Sequence, residues 1–98
     1  MTINVERDFE LLTLEITGRL DTTTAPNLEA VINKIPVDTK ELVFDMSNLE
    51  YISSTGIGVI LGAYNKMSSN QGTMRILKVN DAIRDFFETT ILMQMMEG

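Results

Sequence analysis

Cysteine, histidine and tryptophan are all absent from this 98-residue chain, and proline occurs only twice. Without cysteine there are no disulfides and no thiolate nucleophile; without histidine there is no imidazole base, and the usual zinc ligand sets are missing as well. Basic residues are also scarce, 8 against 14 acidic, for a net charge of −6. That balance argues against a nucleic-acid binder, which needs a cationic patch to neutralise phosphates, and against docking on anionic lipid. No apolar run approaches the roughly 20 residues of a membrane span. The opening Met1-Thr-Ile-Asn-Val5 has neither a basic start nor a long apolar stretch, so no signal peptide is expected and the cytoplasm is the default compartment.

What is present suits one packed domain, residues 1–98. Apolar residues make up 44% of the chain, and a chain of this length buries roughly 60–70% of its unfolded surface without needing a metal or a disulfide. Ile3-Asn-Val5 reads as a short edge strand. In Glu10–Thr17, Leu12, Leu14 and Ile16 alternate with Thr13, Glu15 and Thr17, the period of a strand with one buried face. A helix then starts at Thr22–Pro26, with a threonine as cap and Leu28, Val31, Ile32 and Ile35 on one side, and Pro36 stops it. Leu42-Val-Phe44 is a short continuous apolar strand suited to the middle of a sheet. Residues 45–52 read as a connection.

From Ser54 to about Ser69 the spacing predicts a helix with Ile57, Ile60, Leu61, Tyr64 and Met67 inward. Thr73–Val79 is a further strand. Asn80 or Asp81 caps a last helix with Ile83, Phe86, Phe87 and Ile91 inward, and the tail Leu92–Met96 is either a short strand or a frayed helix end. The order β-β-α-β-α-β-α implies right-handed crossovers and a mixed four- to five-stranded sheet with helices packed on it, an α/β fold.

The chemistry concentrates at Ser53-Ser54-Thr55, which opens directly into Gly56-Ile-Gly-Val-Ile-Leu-Gly62. Hydroxyls at a strand-to-helix junction meet unpaired N–H groups and the positive end of the helix dipole, a setting that accommodates a phosphate. Capping alone explains a serine there. It does not explain Gly56 and Gly58 in the first turns, where each costs about 1 kcal/mol relative to alanine. Gly58, Val59, Gly62 and Ala63 are expected to lie off the core stripe, leaving a low surface for another backbone to approach. The glycines run G-x-G-x-x-x-G rather than G-x-G-x-x-G, and no Gly-Lys-Ser/Thr follows, which disfavours a nucleotide-binding enzyme.

The run Asp45-Met-Ser-Asn-Leu-Glu-Tyr-Ile-Ser-Ser-Thr-Gly-Ile-Gly-Val-Ile-Leu-Gly62 resembles the signature of the STAS domain of bacterial anti-sigma factor antagonists. In that signature the pattern is approximately D-L-S-x-L-x-[FY]-[IM]-D-S-[ST]-G-[LI]-G-x-L. Gly18-Arg-Leu-Asp21 is similar to the family's early G-x-L-D element, and the element order matches over essentially the whole chain. The resemblance implies a non-enzymatic switch. Its serine, Ser54 here, is phosphorylated by an anti-sigma factor that is itself a serine kinase of ATPase fold, and a phosphatase reverses the mark.

It also implies that Asp21, Asn48, Thr55 and Gly56 lie around Ser54, and that no cofactor belongs to the chain, Mg-ATP being the kinase's. Ser53 replaces the family's usual aspartate and adds a second candidate hydroxyl. The alternative within the same resemblance is a scaffold or accessory subunit of a signalling assembly or lipid transporter. A monomer is expected, and a weak dimer through the Gly58–Gly62 face would point to the scaffold.

Overall fold

Strand β2, Leu11–Leu20, organises the molecule because it pairs along both of its edges. The computed structural model describes residues 1–88 and 90–97. On one edge of β2 lies β1, Thr2–Asp8, antiparallel and paired from Thr2↔Thr17 to Asp8↔Leu11. The other edge is shared by two consecutive parallel strands. Residues Leu11–Glu15 pair with β3, Glu41–Asp45, and Gly18–Leu20 pair with β4, Leu49–Ile52. The change of partner falls between Glu15 and Gly18; within the β4 pairing the register then shifts between Gly18 and Arg19, and Gly18 takes φ +98°, a conformation open to glycine and strained for other residues.

β4 is the main departure from expectation, since residues 45–52 read as a connection. The chain leaves β3 through a tight turn in which the Asp45 carboxylate accepts the Ser47 N–H (3.0 Å) and the Met46 carbonyl accepts the Leu49 N–H (3.1 Å). It then rejoins the same edge of β2. Beyond it come α2, Ser54–Ser69; β5, Thr73–Leu77, parallel to β3; and α3, Asp81–Phe87. The tail forms a short 3-10 turn, Ile91–Met95, and a two-residue strand β6, Met96–Glu97, parallel to β5. The mixed α/β sheet thus stands as expected, with β1 antiparallel and the other pairings parallel.

The core forms where the predicted alternation places it. Leu12, Leu14 and Ile16 of β2 are buried with Leu42 and Phe44 of β3 and Met74 and Ile76 of β5. Helix α1, Ala25–Asn33, contributes Ala25, Leu28 and Ile32, and Ile35 follows just beyond it. Two inward assignments change. The stripe of α2 is Gly56, Ile60, Ala63 and Met67, one step round the helix from the expected one. Asn80 caps α3 by accepting the Ile83 N–H at 2.9 Å, which turns Ile83 and Phe87 inward and leaves Phe86 and Ile91 exposed.

Candidate functional site

At the carboxyl end of β2 the Leu20 carbonyl accepts the Ser53 N–H (2.9 Å), which extends the β2–β4 pairing by one residue and fixes where α2 begins. Ser53 is still extended (φ −95°, ψ 170°), and its Oγ accepts the Gly56 N–H at 3.2 Å. Ser53 is therefore the cap, and its hydroxyl is occupied. Ser54 is the first helical residue and is exposed. Among the described residues no group hydrogen-bonds its hydroxyl. The sequence offered two serines; the geometry divides their tasks.

Asp21 comes to the same end because it directly follows Leu20. One of its carboxylate oxygens accepts the Thr23 hydroxyl (2.7 Å), the Thr23 N–H (3.0 Å) and the Thr24 N–H (3.2 Å). The Thr23 hydroxyl, with the two amides, holds this carboxyl below its ordinary range against a smaller opposing effect of burial. The residue that organises the start of α1 is thus Asp21, and Thr24, although it precedes the first helical residue, makes no side-chain capping bond. Thr22 Oγ1 lies 3.5 Å from Thr55 Oγ1, tying this loop to the first turn of α2.

Three residues that sequence reasoning passed over extend the site. Arg19 Nε stands 3.7 Å from Asp21 Oδ2, and its guanidinium lies 4.2 Å from the centre of the Tyr51 ring. Tyr51 in turn meets Phe86 edge-on at 6.3 Å. A cation over an aromatic face is attractive even when exposed. No strand period announces this: Leu49 and Ile52 are both buried although three residues apart, because the ladder skips Glu50 between Gly18↔Leu49 and Arg19↔Tyr51, and this irregularity sets Tyr51 beside Arg19.

Other candidates are placed differently from expectation. Asn48 precedes β4, its carbonyl accepting the Gly18 N–H (3.0 Å), so about 16 Å of extended chain separates it from Ser53. Gly56 is buried; a Cβ there would lie 2.8 Å from Leu20 Cγ and 2.9 Å from the Leu20 carbonyl oxygen. Its place in the helix therefore has a packing reason. Ala63 is buried in the core and cannot be part of an open face. Gly58 and Gly62 are exposed, with no atom within 4 Å of an added Cβ, and Val59 is half-buried beside them. They border a shallow groove of about 150 Å³ against Glu29, Ile32 and Asn33 of α1, with Lys66 Nζ donating to the Asn33 carbonyl (3.1 Å) alongside.

The site thus consists of an exposed, unengaged hydroxyl on the first turn of a sixteen-residue helix that has no acidic residue in that turn. The loop that carries the ionised Asp21, with Arg19 paired to it, reaches the same helix turn through Thr22 and Thr55. With no histidine in the chain, the hydroxyl lacks an imidazole base to make it a nucleophile. It is suited to accept a group delivered from outside.

Comparison with known proteins bears on the chain as a whole. The STAS domain model matches residues 2–97. An anti-sigma-B factor antagonist of Staphylococcus aureus is 31% identical, covering 98% of this chain and 92% of the relative. The anti-sigma factor antagonist SpoIIAA in its unphosphorylated form has the same fold, with a TM-score of 0.88 at 19% identity over 98% of this chain and 86% of that one. The phosphorylated form of the Bacillus cell fate determinant SpoIIAA gives 0.81 at 19% identity, over 98% and 89%. From the hydroxyl-bearing helix start to the sheet beneath it, the chain belongs to the STAS domain family.

Proposed function

We propose that the protein is a cytoplasmic anti-sigma factor antagonist, regulatory rather than catalytic, switched by phosphorylation of Ser54. The observation that carries this is the division of labour at the start of α2. Ser53 satisfies the helix end, leaving Ser54 exposed and available for modification without loss of the cap. The relative in Staphylococcus aureus carries that function in its name, and the SpoIIAA fold exists with and without phosphate.

In this reading the unphosphorylated tip, the Asp21 loop and the Gly58–Val59–Gly62 surface dock on an anti-sigma factor, which then releases its sigma factor. That anti-sigma factor is a serine kinase of ATPase fold and brings the Mg-ATP; a phosphatase restores the hydroxyl. Phosphorylation adds about −1.5 to −2 charges. At a helix start the dipole favours such charge by about 0.3–1 kcal/mol, so the fold persists. On docking, the same charge becomes desolvated or faces like charge, which costs several kcal/mol. The ionised Asp21 nearby adds to the negative field the partner must meet.

The test is phosphotransfer from the cognate anti-sigma kinase to wild type, Ser53→Ala and Ser54→Ala, with the modified residue mapped by mass spectrometry. Label lost only in Ser54→Ala supports the assignment; label lost only in Ser53→Ala overturns it.

A further inference from the structure

At the opposite end of β2 from Ser54, about 30 Å away along ten strand residues, Phe9 stands almost free of the molecule. Its exposure is 89%, and it sits in the two-residue β1–β2 hairpin with φ +56°. That left-handed conformation suits glycine, asparagine or aspartate and is strained for a bulky side chain. Neither packing nor turn chemistry accounts for a phenylalanine there.

Beside the hairpin runs an apolar groove of about 360 Å³. Val5, Leu12, Val31, Ile35 and Pro36 line it, Arg7 and Lys34 flank it, and Phe9 does not enter it. Val5 is 54% exposed there, and Val37, next to Pro36, is 76% exposed. The charges are complementary in kind. Phe9 is flanked by Asp8 and Glu10, making an apolar knob between two carboxylates. Of the two cations at the groove, Arg7 is bonded to Asp38 (3.1 Å) and Thr39 (2.9 Å), while Lys34 has no ion pair among the described residues.

We propose that Phe9 and this groove form a self-complementary interface whose occupant is a second copy of this chain. A two-fold pairing requires one surface to carry both knob and socket, so that each copy inserts its Phe9 into the other's groove. Here both features lie at one end of the molecule. An aromatic anchor entering an apolar pocket is the arrangement that concentrates binding energy in an interface. The charged run Glu6-Arg7-Asp8 on the exposed edge of β1 opposes open-ended strand addition, which favours a closed pair over a fibre. The Ser54 tips of both copies stay free, so the proposal does not depend on the assignment of the switch.

Sedimentation equilibrium of the full chain from about 10 μM to about 1 mM tests it. Three proteins are compared: wild type, Phe9→Asn, and Val5→Glu, which sets a carboxylate in the socket against the incoming Asp8 and Glu10. The expected result is a wild-type dimer whose dissociation constant rises at least about tenfold in both variants. At concentrations below the wild-type dissociation constant, where both are monomers, Phe9→Asn should also melt no lower than wild type, because asparagine suits the turn. A wild type that stays monomeric throughout, or a dimer that either variant leaves intact, overturns the proposal.

Discussion

Alanine at each of three glycines in α2 should give effects of opposite sign, because the glycines serve opposite purposes. An added Cβ at Gly56 meets Leu20 Cγ at 2.8 Å, the Leu20 carbonyl oxygen at 2.9 Å and Ile52 Cγ1 at 3.0 Å. The carbonyl cannot move cheaply, since it accepts the Ser53 N–H that sets the β4–α2 junction. Overpacking of this kind costs about 1–3 kcal/mol, against a helix-propensity gain of about 1 kcal/mol or less. The expected net loss is about 1–2 kcal/mol, and each kcal/mol corresponds to roughly 4–8 °C in Tm for a domain of this size.

At Gly58 and Gly62 an added Cβ meets nothing within 4 Å, so only the propensity gain remains and Tm should rise by a few degrees, about 0.5–1 kcal/mol each. Calorimetry on the three variants measures this directly. A Gly56→Ala protein melting above wild type, or Gly58→Ala melting below it, refutes the steric reasoning. The same variants also bear on function. If a partner's backbone approaches the Gly58–Gly62 surface, alanine there should weaken binding while raising Tm, a pairing of signs that loss of fold cannot produce.

Two further outcomes follow from the same end of the molecule. Ser53→Ala removes the cap of α2 and should cost about 1 kcal/mol, whereas Ser54→Ala should stay within about 0.5 kcal/mol of wild type; thermal melts showing the reverse order contradict the division between the two serines. Asp21 is held below the ordinary carboxyl value of 3.8 by the Thr23 hydroxyl and its neighbouring amides. Asp45 is also lowered: burial pushes it up, and is outweighed by the Ser47 N–H and hydroxyl together with the charge of Lys78. Both carboxyls bind protons less readily in the folded state, so their stabilisation is complete above 3.8 and is lost as pH falls through their folded values. Tm should therefore be level from about pH 7 to about pH 5 and decline below about pH 4, less steeply in Asp21→Asn/Asp45→Asn. A Tm that rises on acidification would refute the sign.

The elements most legible in the sequence are those whose period is clean. Leu12, Leu14 and Ile16 announce β2, and Leu28 and Ile32, with Pro26 before and Pro36 after, announce α1. β4 is harder because it has four residues and follows a polar turn directly. Its existence depends on β2 being long enough to serve two parallel partners on one edge, a property of tertiary pairing. In α2 the apolar residues Ile57, Val59, Ile60 and Leu61 crowd more than one side, so size alone points to the wrong face. Gly56 and Ala63 are buried because they are small, allowing close approach to the Leu20 backbone and the Ile52 side chain at one end and to the core at the other. In α3 a single hydrogen bond to Asn80 sets the start, and with only seven residues that start decides that Phe86 faces outward.

At the site, the exposed position of Ser54 and the nearness of Asp21 follow from a legible motif. The motif also suggests Asn48, but the intervening β4 holds it at the far end of the strand. Arg19, Tyr51 and Phe86 come together only when β2, β4 and α3 are assembled. These three form an aromatic and cationic cluster on the outer side of the β2–β4 pair, and such residues are enriched in protein interfaces.

In the proposed mechanism, charge at Ser54 acts between proteins and leaves the architecture intact. The most direct measurement is the affinity of the anti-sigma factor for the unphosphorylated and the Ser54-phosphorylated protein, taken beside the Tm of each. Binding weakened at least about a hundredfold, with the two melting temperatures within a few degrees, is the predicted result. Equal affinities, or a phosphorylated form that loses its fold, would contradict it.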